Sequence, residues 1–156
     1  MNKCAVLLVE DDSNDIFLVE RSFRKAGIAA RIDSVMDGEI AVDYLTRRLE
    51  TSVLPDLVIL DLKLPKLNGL EVLEWIRQQP ELAHLPVVML TSSSERSDID
   101  RATQLGVTAY ALKPSRYDDL LKLITQIAET WLPQSIADRH LTGARSRGSD
   151  AGGRPV

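Results

Sequence analysis

Several chemically versatile side chains stand directly after short apolar runs of this sequence. They are acidic after the first and third runs, hydroxyl-bearing after the fourth and basic after the fifth. In chain order they are Glu10, Asp11 and Asp12, then Asp61, then Thr91 and Ser92, then Lys113, which precedes Pro114. An aspartate carboxylate can act as a nucleophile and form an aspartyl phosphate. If the fold brings these residues together, they form a site that can capture a phosphoryl group.

The residue types match what phosphoryl transfer requires of a protein, namely positioning and neutralisation of charge. Asp61 is the predicted nucleophile, the Thr91 hydroxyl would donate a hydrogen bond to the bound group, and Lys113 would pair with one of its oxygens. Neighbouring carboxylates repel one another unless one is protonated or a cation lies among them. An all-oxygen set without His or Cys favours Mg²⁺, with Asp11 as a direct ligand.

The pattern of apolar runs predicts the elements that position these residues. The predicted strands are 4–10, 30–35, 56–60, 86–90 and 109–112, and the alternation in "ARIDSV" makes 30–35 an edge strand. The predicted helices are 14–26, 39–48, 69–79, 98–105 and 117–132. This alternation predicts a three-layer α/β fold, a doubly wound five-stranded parallel sheet of order 2-1-3-4-5. Ligands of such sheets bind at the carboxyl ends of the strands, where the polar side chains would converge.

Each feature alone has a simpler structural interpretation. An acidic run before a helix can cap that helix and interact with its dipole. A single aspartate after a strand commonly forms a turn, and the hydroxyl run that starts at Thr91 suits a capping loop. Lys113–Pro114 can simply end a strand. The occurrence of all four features at one edge of one predicted sheet favours the phosphoryl site.

Composition limits the class of protein. The 156 residues suit one domain, and 44% hydrophobic with 27% charged residues allow a sizeable core. The net charge of −4 gives no electrostatic footprint for nucleic acid, and no apolar run is long enough to span a membrane. The single cysteine, Cys4, excludes an internal disulfide and indicates a reducing compartment, so we expect a cytoplasmic protein. The composition changes after residue 132, which predicts a domain at 1–132 and a flexible tail or dimerisation arm at 133–156.

Four stretches together resemble the receiver domain of two-component response regulators: "LLVEDD", "VILDLKLPKLNGLEVL", "VVMLTSSS" and "AYALKP". The spacings from Asp61 to Thr91 and from Thr91 to Lys113 are similar to those of typical receivers, and the resemblance covers about residues 3–132. It implies a CheY-like fold with Asp61 as the phosphoacceptor.

The resemblance also implies roles for the other site residues. The implied metal ligands are Asp11, Asp61, the backbone carbonyl of Lys63 and, mainly through water, Glu10, which stands where Asp is more frequent. Mg²⁺ is the implied cofactor, and Mn²⁺ or Ca²⁺ would substitute for it. Thr91 and Tyr110 are the implied switch residues, and the Lys113–Pro114 peptide bond is implied to be cis.

A narrower resemblance concerns the class of regulator. The segment "TRRLETSVLPD" lengthens the connection into the third strand, and we expect no output domain after residue 132, as in stand-alone regulators paired with bacterial phytochromes. This implies a phosphorelay protein that accepts its phosphoryl group from a sensor histidine kinase, here a bacteriophytochrome. It would signal through protein contacts, including a downstream phosphotransfer protein, and not through nucleic acid or a membrane. It would catalyse only its own phosphorylation and dephosphorylation.

The last predicted helix carries two apolar rows. The first is a core stripe of Leu120, Ile124, Ile127 and Trp131, and the second consists of Leu121, Thr125, Ala128 and Leu132. The second row belongs either to a deeply buried terminal helix or to a homodimer interface formed with the fourth helix and fifth strand. We expect the homodimer, with Leu121, Ala128 and Leu132 as its interface candidates.

Three other functional classes compete with this interpretation. A phosphatase or phosphotransferase with an aspartate nucleophile would need an acid two residues after Asp61, where the chain has Lys63. A flavin carrier would need a hydroxyl-rich phosphate loop after the first strand, where "EDDSND" would repel phosphate. A receiver that works without phosphorylation is disfavoured because the acidic set, Thr91 and Lys113 are all present.

Overall fold

The structure is a computed structural model, and it describes residues 4–132. Five strands alternate with five helices along this part of the chain. The strands are β1 (Cys4–Val9), β2 (Ala30–Val35), β3 (Leu57–Leu60), β4 (Val87–Thr91) and β5 (Ala109–Leu112). The helices are α1 (Ser13–Lys25), α2 (Gly38–Thr51), α3 (Gly69–Gln78), α4 (Arg96–Gln104) and α5 (Tyr117–Trp131), and a 3-10 turn (Pro80–Leu82) follows α3. The predicted tail lies outside the described residues.

The five strands form one parallel sheet of order β2-β1-β3-β4-β5, as predicted. β3 is fully buried along its length, because its apolar side chains face helices on both sides of the sheet. β2 lies at one edge and carries polar residues in alternation, as its sequence predicts. The first and third strands are therefore neighbours, and the chain reverses its winding direction between them.

Alternating side chains of the sheet pack into two apolar clusters. On one face, Val6 and Leu8 pack with residues of α1 and α5, among them Phe23 and Ile124. On the other face, Leu7 and Val9 pack with residues of α2, α3 and α4. This two-residue period is the expected geometry of a strand that is covered on both sides.

Two of the differences between predicted and observed boundaries bear on the site and the loops. The second predicted helix ends at residue 48, whereas α2 continues to Thr51. Its C-cap is Ser52, which has a left-handed backbone conformation with a φ of 61°. The segment "TRRLETSVLPD", which the sequence analysis interpreted as a long connection, is therefore helical in its first half. The fourth predicted strand stops at residue 90, whereas β4 includes Thr91. Thr91 consequently belongs to the sheet and not to the loop after it.

The predicted dimer surface on α5 is wrong for two of its three residues. Ala128 and Leu132 are completely buried in the cluster shared with α1, and only Leu121 is half-buried. α5 packs along α1, and this packing buries most of the core stripe together with Ala128 and Leu132 of the second row. The core stripe is confirmed for Leu120 and its neighbours Ile124 and Ile127. Within the described residues no helix is long and apolar enough to span a membrane.

Candidate functional site

The carboxyl ends of the parallel strands bring the predicted site residues to one edge of the sheet. Asp61 follows β3, and its backbone N–H donates to the carbonyl of Val9 at 3.0 Å, which fixes it beside the end of β1. The backbone N–H of Lys113 donates to the carbonyl of Thr91 at 2.8 Å, which fixes the end of β5 beside β4. The sheet thus aligns Glu10, Asp61, Thr91 and Lys113 before any side-chain contact is considered.

Three carboxylates meet at this edge. One carboxylate oxygen from each of Glu10, Asp11 and Asp61 lies within 4.8 Å of the other two. Glu10 is 3% exposed and Asp61 is 6% exposed, whereas Asp11 is open to solvent. Such a set of hard oxygen donors with one open side fits Mg²⁺ or a similar cation, which keeps several of its waters. Asp12 lies outside this set, because its carboxylate caps α1 by accepting from the N–H of Asn14.

Burial of Glu10 disfavours the ionised form of its carboxyl group. Desolvation by burial, together with the negative charge of Asp61, raises the pKa of Glu10 from 4.5 to about 7, against the opposing hydrogen bond from Lys113. A cation among the three carboxylates would favour the ionised form of Glu10.

Lys113 supplies positive charge to the same edge. Its ammonium nitrogen lies 2.7 Å from Glu10 Oε1, 2.8 Å from Asp15 Oδ2 and 3.0 Å from Asp61 Oδ2. Burial alone would lower the pKa of Lys113, but the hydrogen bonds to these three carboxylates outweigh burial and raise it. Lys113 is therefore a fixed cation at neutral pH.

The Asp61 carboxylate is oriented by the start of the following loop. Its Oδ1 accepts from the N–H of Leu62 at 2.7 Å, which leaves Oδ2 directed at Lys113. Gly69, the first residue of α3, lies so close that a Cβ there would come within 2.2 Å of the Asp61 carbonyl oxygen. Only glycine lets α3 begin against the end of β3. Lys63, on the same loop, is exposed, and the role of its carbonyl as a metal ligand stays a prediction.

Thr91 and Tyr110, the predicted switch residues, are connected through Ser93. The Ser93 N–H donates to Thr91 Oγ1 at 3.3 Å, and the Tyr110 hydroxyl donates to the Ser93 carbonyl at 2.9 Å. The Ser93 hydroxyl in turn donates to Asp98 Oδ2 in the first turn of α4 at 2.6 Å. Burial raises the pKa of Tyr110, so its hydroxyl remains a donor at neutral pH.

The prediction of a cis peptide at Lys113–Pro114 is wrong. No peptide bond among residues 4–132 is cis. For an X–Pro bond the trans form is favoured by about 0.5–1 kcal/mol. Here the trans backbone already carries the Lys113 side chain to its three carboxylates, so a cis turn is not needed to direct it.

Comparison with known proteins agrees with the site described at this edge of the sheet. Residues 6–125 match the family described as response regulator receiver domain. The chain belongs to the response regulator receiver family. All of the site residues named above, from Glu10 to Lys113, lie within the matched part of the chain.

Relatives of this receiver cover most of its length. The probable methanogenesis regulatory protein FilR2 of Methanothrix harundinacea is 41% identical over 130 residues, which are 81% of this chain and 83% of FilR2. The solved structure of the phosphorylated cyanobacterial phytochrome response regulator RcpA has a TM-score of 0.78 and 34% identity, over 84% of this chain and 95% of RcpA. The Mn²⁺-bound response regulator Rcp1 has a TM-score of 0.75 and 37% identity, over 83% and 94% of the two chains.

Two residues of the receiver site were missed by the sequence reasoning. Asp15 contacts Lys113, and its signal was its place in the first turn of α1, directly after the acidic run. Ser93 joins Thr91, Tyr110 and α4, and it had no signal beyond its place in a run of hydroxyl residues.

Proposed function

We propose that the chain is a phosphorelay receiver that accepts one phosphoryl group on Asp61 in a Mg²⁺-dependent reaction. The observation that carries this proposal is the placement of the Lys113 ammonium 3.0 Å from Asp61 Oδ2, beside the set of Glu10, Asp11 and Asp61. A nucleophilic carboxylate, a fixed cation and an acidic pocket together meet the requirements of phosphoryl transfer.

The transfer forms one bond and breaks one bond. Oδ2 of Asp61 attacks the phosphorus atom of the donor, and the bond from phosphorus to the leaving group breaks. The leaving group takes the electron pair, as acetate when the donor is acetyl phosphate and as the imidazole of histidine when the donor is a kinase. A bound Mg²⁺ would supply positive charge against the phosphoryl oxygens.

The chain's own residues position and stabilise the transferred group. Lys113 leaves Asp61 Oδ2 and pairs with a phosphoryl oxygen. The hydroxyl of Thr91, which accepts from Ser93 in the described state, turns to donate to another phosphoryl oxygen. That turn removes the acceptor of the Ser93 N–H, so the change reaches Tyr110 and α4 through Ser93.

The proposed partners follow from the family and its named relatives. Receivers interact with kinases, and we propose a sensor histidine kinase as the donor. RcpA is a phytochrome response regulator, which supports a bacteriophytochrome as that kinase. A homodimer and a downstream phosphotransfer protein are proposed partners for output in the cytoplasm, with no catalysis beyond phosphorylation and dephosphorylation of Asp61. Two apolar side chains on the surface formed by α4, β5 and α5 support a dimer. Leu112, in the edge strand β5, is 49% exposed, and Leu121 is half-buried.

The test is phosphorylation by acetyl phosphate with Mg²⁺, followed by intact-protein mass. The wild type should gain one phosphoryl group, and Asp61→Asn should gain none. Asp56→Asn is the matched control, because Asp56 lies at the opposite end of β3 from Asp61. Among residues 4–132 the hydrogen bond of its carboxylate is the one accepted from the Ala5 N–H. Labelling of Asp61→Asn at the wild-type level would refute the proposed nucleophile. An unlabelled wild type would favour a receiver that works without phosphorylation.

A further inference from the structure

Lys113 has one carboxylate partner that the acidic set does not include. Glu10 and Asp61 belong to the three carboxylates that fit a cation, whereas Asp15 does not. The Asp15 Oδ2 to Lys113 Nζ distance of 2.8 Å lies between the 2.7 Å to Glu10 and the 3.0 Å to Asp61. The Asp15 side chain is 31% exposed and that of Lys113 is 19% exposed, so water screens this pair only in part.

The backbone under Asp15 is held in place. Asp12 caps α1, and its Oδ1 accepts from the N–H of Asn14 at 2.9 Å and from the N–H of Asp15 at 3.2 Å. Asp15 therefore projects from the first ordered turn of a 13-residue helix. A lysine side chain has four methylene groups joined by rotatable bonds, and it loses considerable conformational entropy when it is fixed. A partner whose own backbone is fixed therefore helps to define the position of the ammonium group.

A cation at the acidic set would change the partners of Lys113. Glu10 and Asp61 would hold the cation through their oxygens, and both carboxylates would then interact less with the lysine. Asp15 lies outside the set, so its carboxylate would still bind the ammonium group and keep it at the edge of the site.

We propose that Asp15 is a positioning residue, which holds Lys113 at the phosphoryl site while a cation occupies the acidic set. This inference rests on the proposed function, because the phosphoryl group is what Lys113 is held to meet. Asp15 itself touches neither the phosphoryl group nor the cation, and it acts through Lys113.

The first test is the rate of labelling by acetyl phosphate at saturating Mg²⁺. Loss of a charged hydrogen bond of this kind should make Asp15→Asn about tenfold slower than the wild type. Asp12→Asn is the matched control: it removes a carboxylate from the same end of α1 and keeps a capping oxygen, and it should stay within about twofold of the wild type. Asp15→Glu, which retains the carboxylate, should recover part of the rate.

The second test uses the metal-free protein and does not depend on phosphorylation. Urea unfolding is measured for the wild type, Asp15→Asn, Lys113→Met and the double variant. If Asp15 acts through Lys113, Asp15→Asn lowers the unfolding midpoint of the wild type and has no such effect in the Lys113→Met background.

The outcomes separate this inference from the proposed function. If the wild type is labelled while Asp15→Asn is labelled equally fast, the positioning role is overturned and the proposed function stands. Additive effects in the unfolding cycle would also overturn it. If the wild type takes no phosphoryl group, the proposed function fails, and the unfolding cycle alone decides whether Asp15 holds Lys113.

Discussion

Asp61 shows at the residue scale how a buried carboxylate can be tolerated. The Leu62 N–H binds one of its oxygens and the Lys113 ammonium binds the other, so neither is left without a partner. The sequence predicted this residue because a charge after four apolar residues demands such partners. It did not predict Asp15, because the direction of a side chain in the first turn of α1 depends on where the helix begins.

If the acidic set binds the metal, the substitution of one of its residues should weaken the binding of Mg²⁺. Asp11→Asn replaces a charged oxygen ligand by a neutral one, so the affinity for Mg²⁺ should fall by at least about tenfold. Isothermal titration measures this affinity. Asp37→Asn is the control, since Asp37 caps α2 through the Ile40 N–H and an asparagine can do the same. Unchanged affinity in Asp11→Asn would place the metal elsewhere.

At the scale of elements, the loop between β4 and α4 couples the site to the helix. Ser93 is 6% exposed, and it contacts Thr91 on one side and Asp98 on the other. Glu95, at the start of α4, has no side-chain cap bond, but its N–H donates to the Ser93 hydroxyl at 3.4 Å. The start of α4 therefore depends on Ser93, which also binds Thr91.

Ser93→Ala removes the hydroxyl that holds the first turn of α4. Loss of its bonds should cost about 1–2 kcal/mol locally, so amide hydrogen exchange in α4 should become faster while exchange in α1 stays unchanged. Asp61 should still be labelled. Ser94→Ala, at an exposed neighbouring position, serves as the control. Equal exchange rates in Ser93→Ala and the wild type would remove Ser93 from the proposed coupling.

The elements themselves were largely predictable, and the errors have physical causes. Apolar runs and glycine positions predicted all five strands, all five helices and the strand order. The last three residues of α2 were missed, because polar residues such as Glu50 and Thr51 suit a loop as well as an exposed helix end. The periodicity of α5 indicated a wide apolar face, but it could not show that Ala128 and Leu132 are buried in the cluster shared with α1.

At the scale of the whole molecule, the functional edge is separate from the α1–α5 cluster that stabilises the domain. Leu132 lies in that cluster and is fully buried, although the sequence suggested an interface. Leu121, eleven residues earlier in the chain, is only half-buried. Substitution of Leu132 therefore tests the stability of the domain, whereas substitution of Leu121 tests contacts at its surface.

Leu132→Ala should lower the free energy of unfolding by about 2–5 kcal/mol, because it leaves a cavity in the core. Leu121→Ala should cost less than about 1.5 kcal/mol, since part of its side chain already meets water. Urea unfolding of both variants compares the two values. Similar losses would mean that the burial of Leu132 is wrong. Sedimentation of the folded Leu121→Ala protein then tests the proposed homodimer.

The central claim is that one residue, Asp61, receives the phosphoryl group. The most direct measurement treats the protein labelled by acetyl phosphate with borohydride, which reduces an acyl phosphate to an alcohol, and then locates the reduced residue by peptide mass spectrometry. We predict a single reduced position, Asp61, that appears only when the phosphoryl donor and Mg²⁺ are both present. Reduction at Asp11, Asp12 or Asp15, with Asp61 intact, would contradict the assignment.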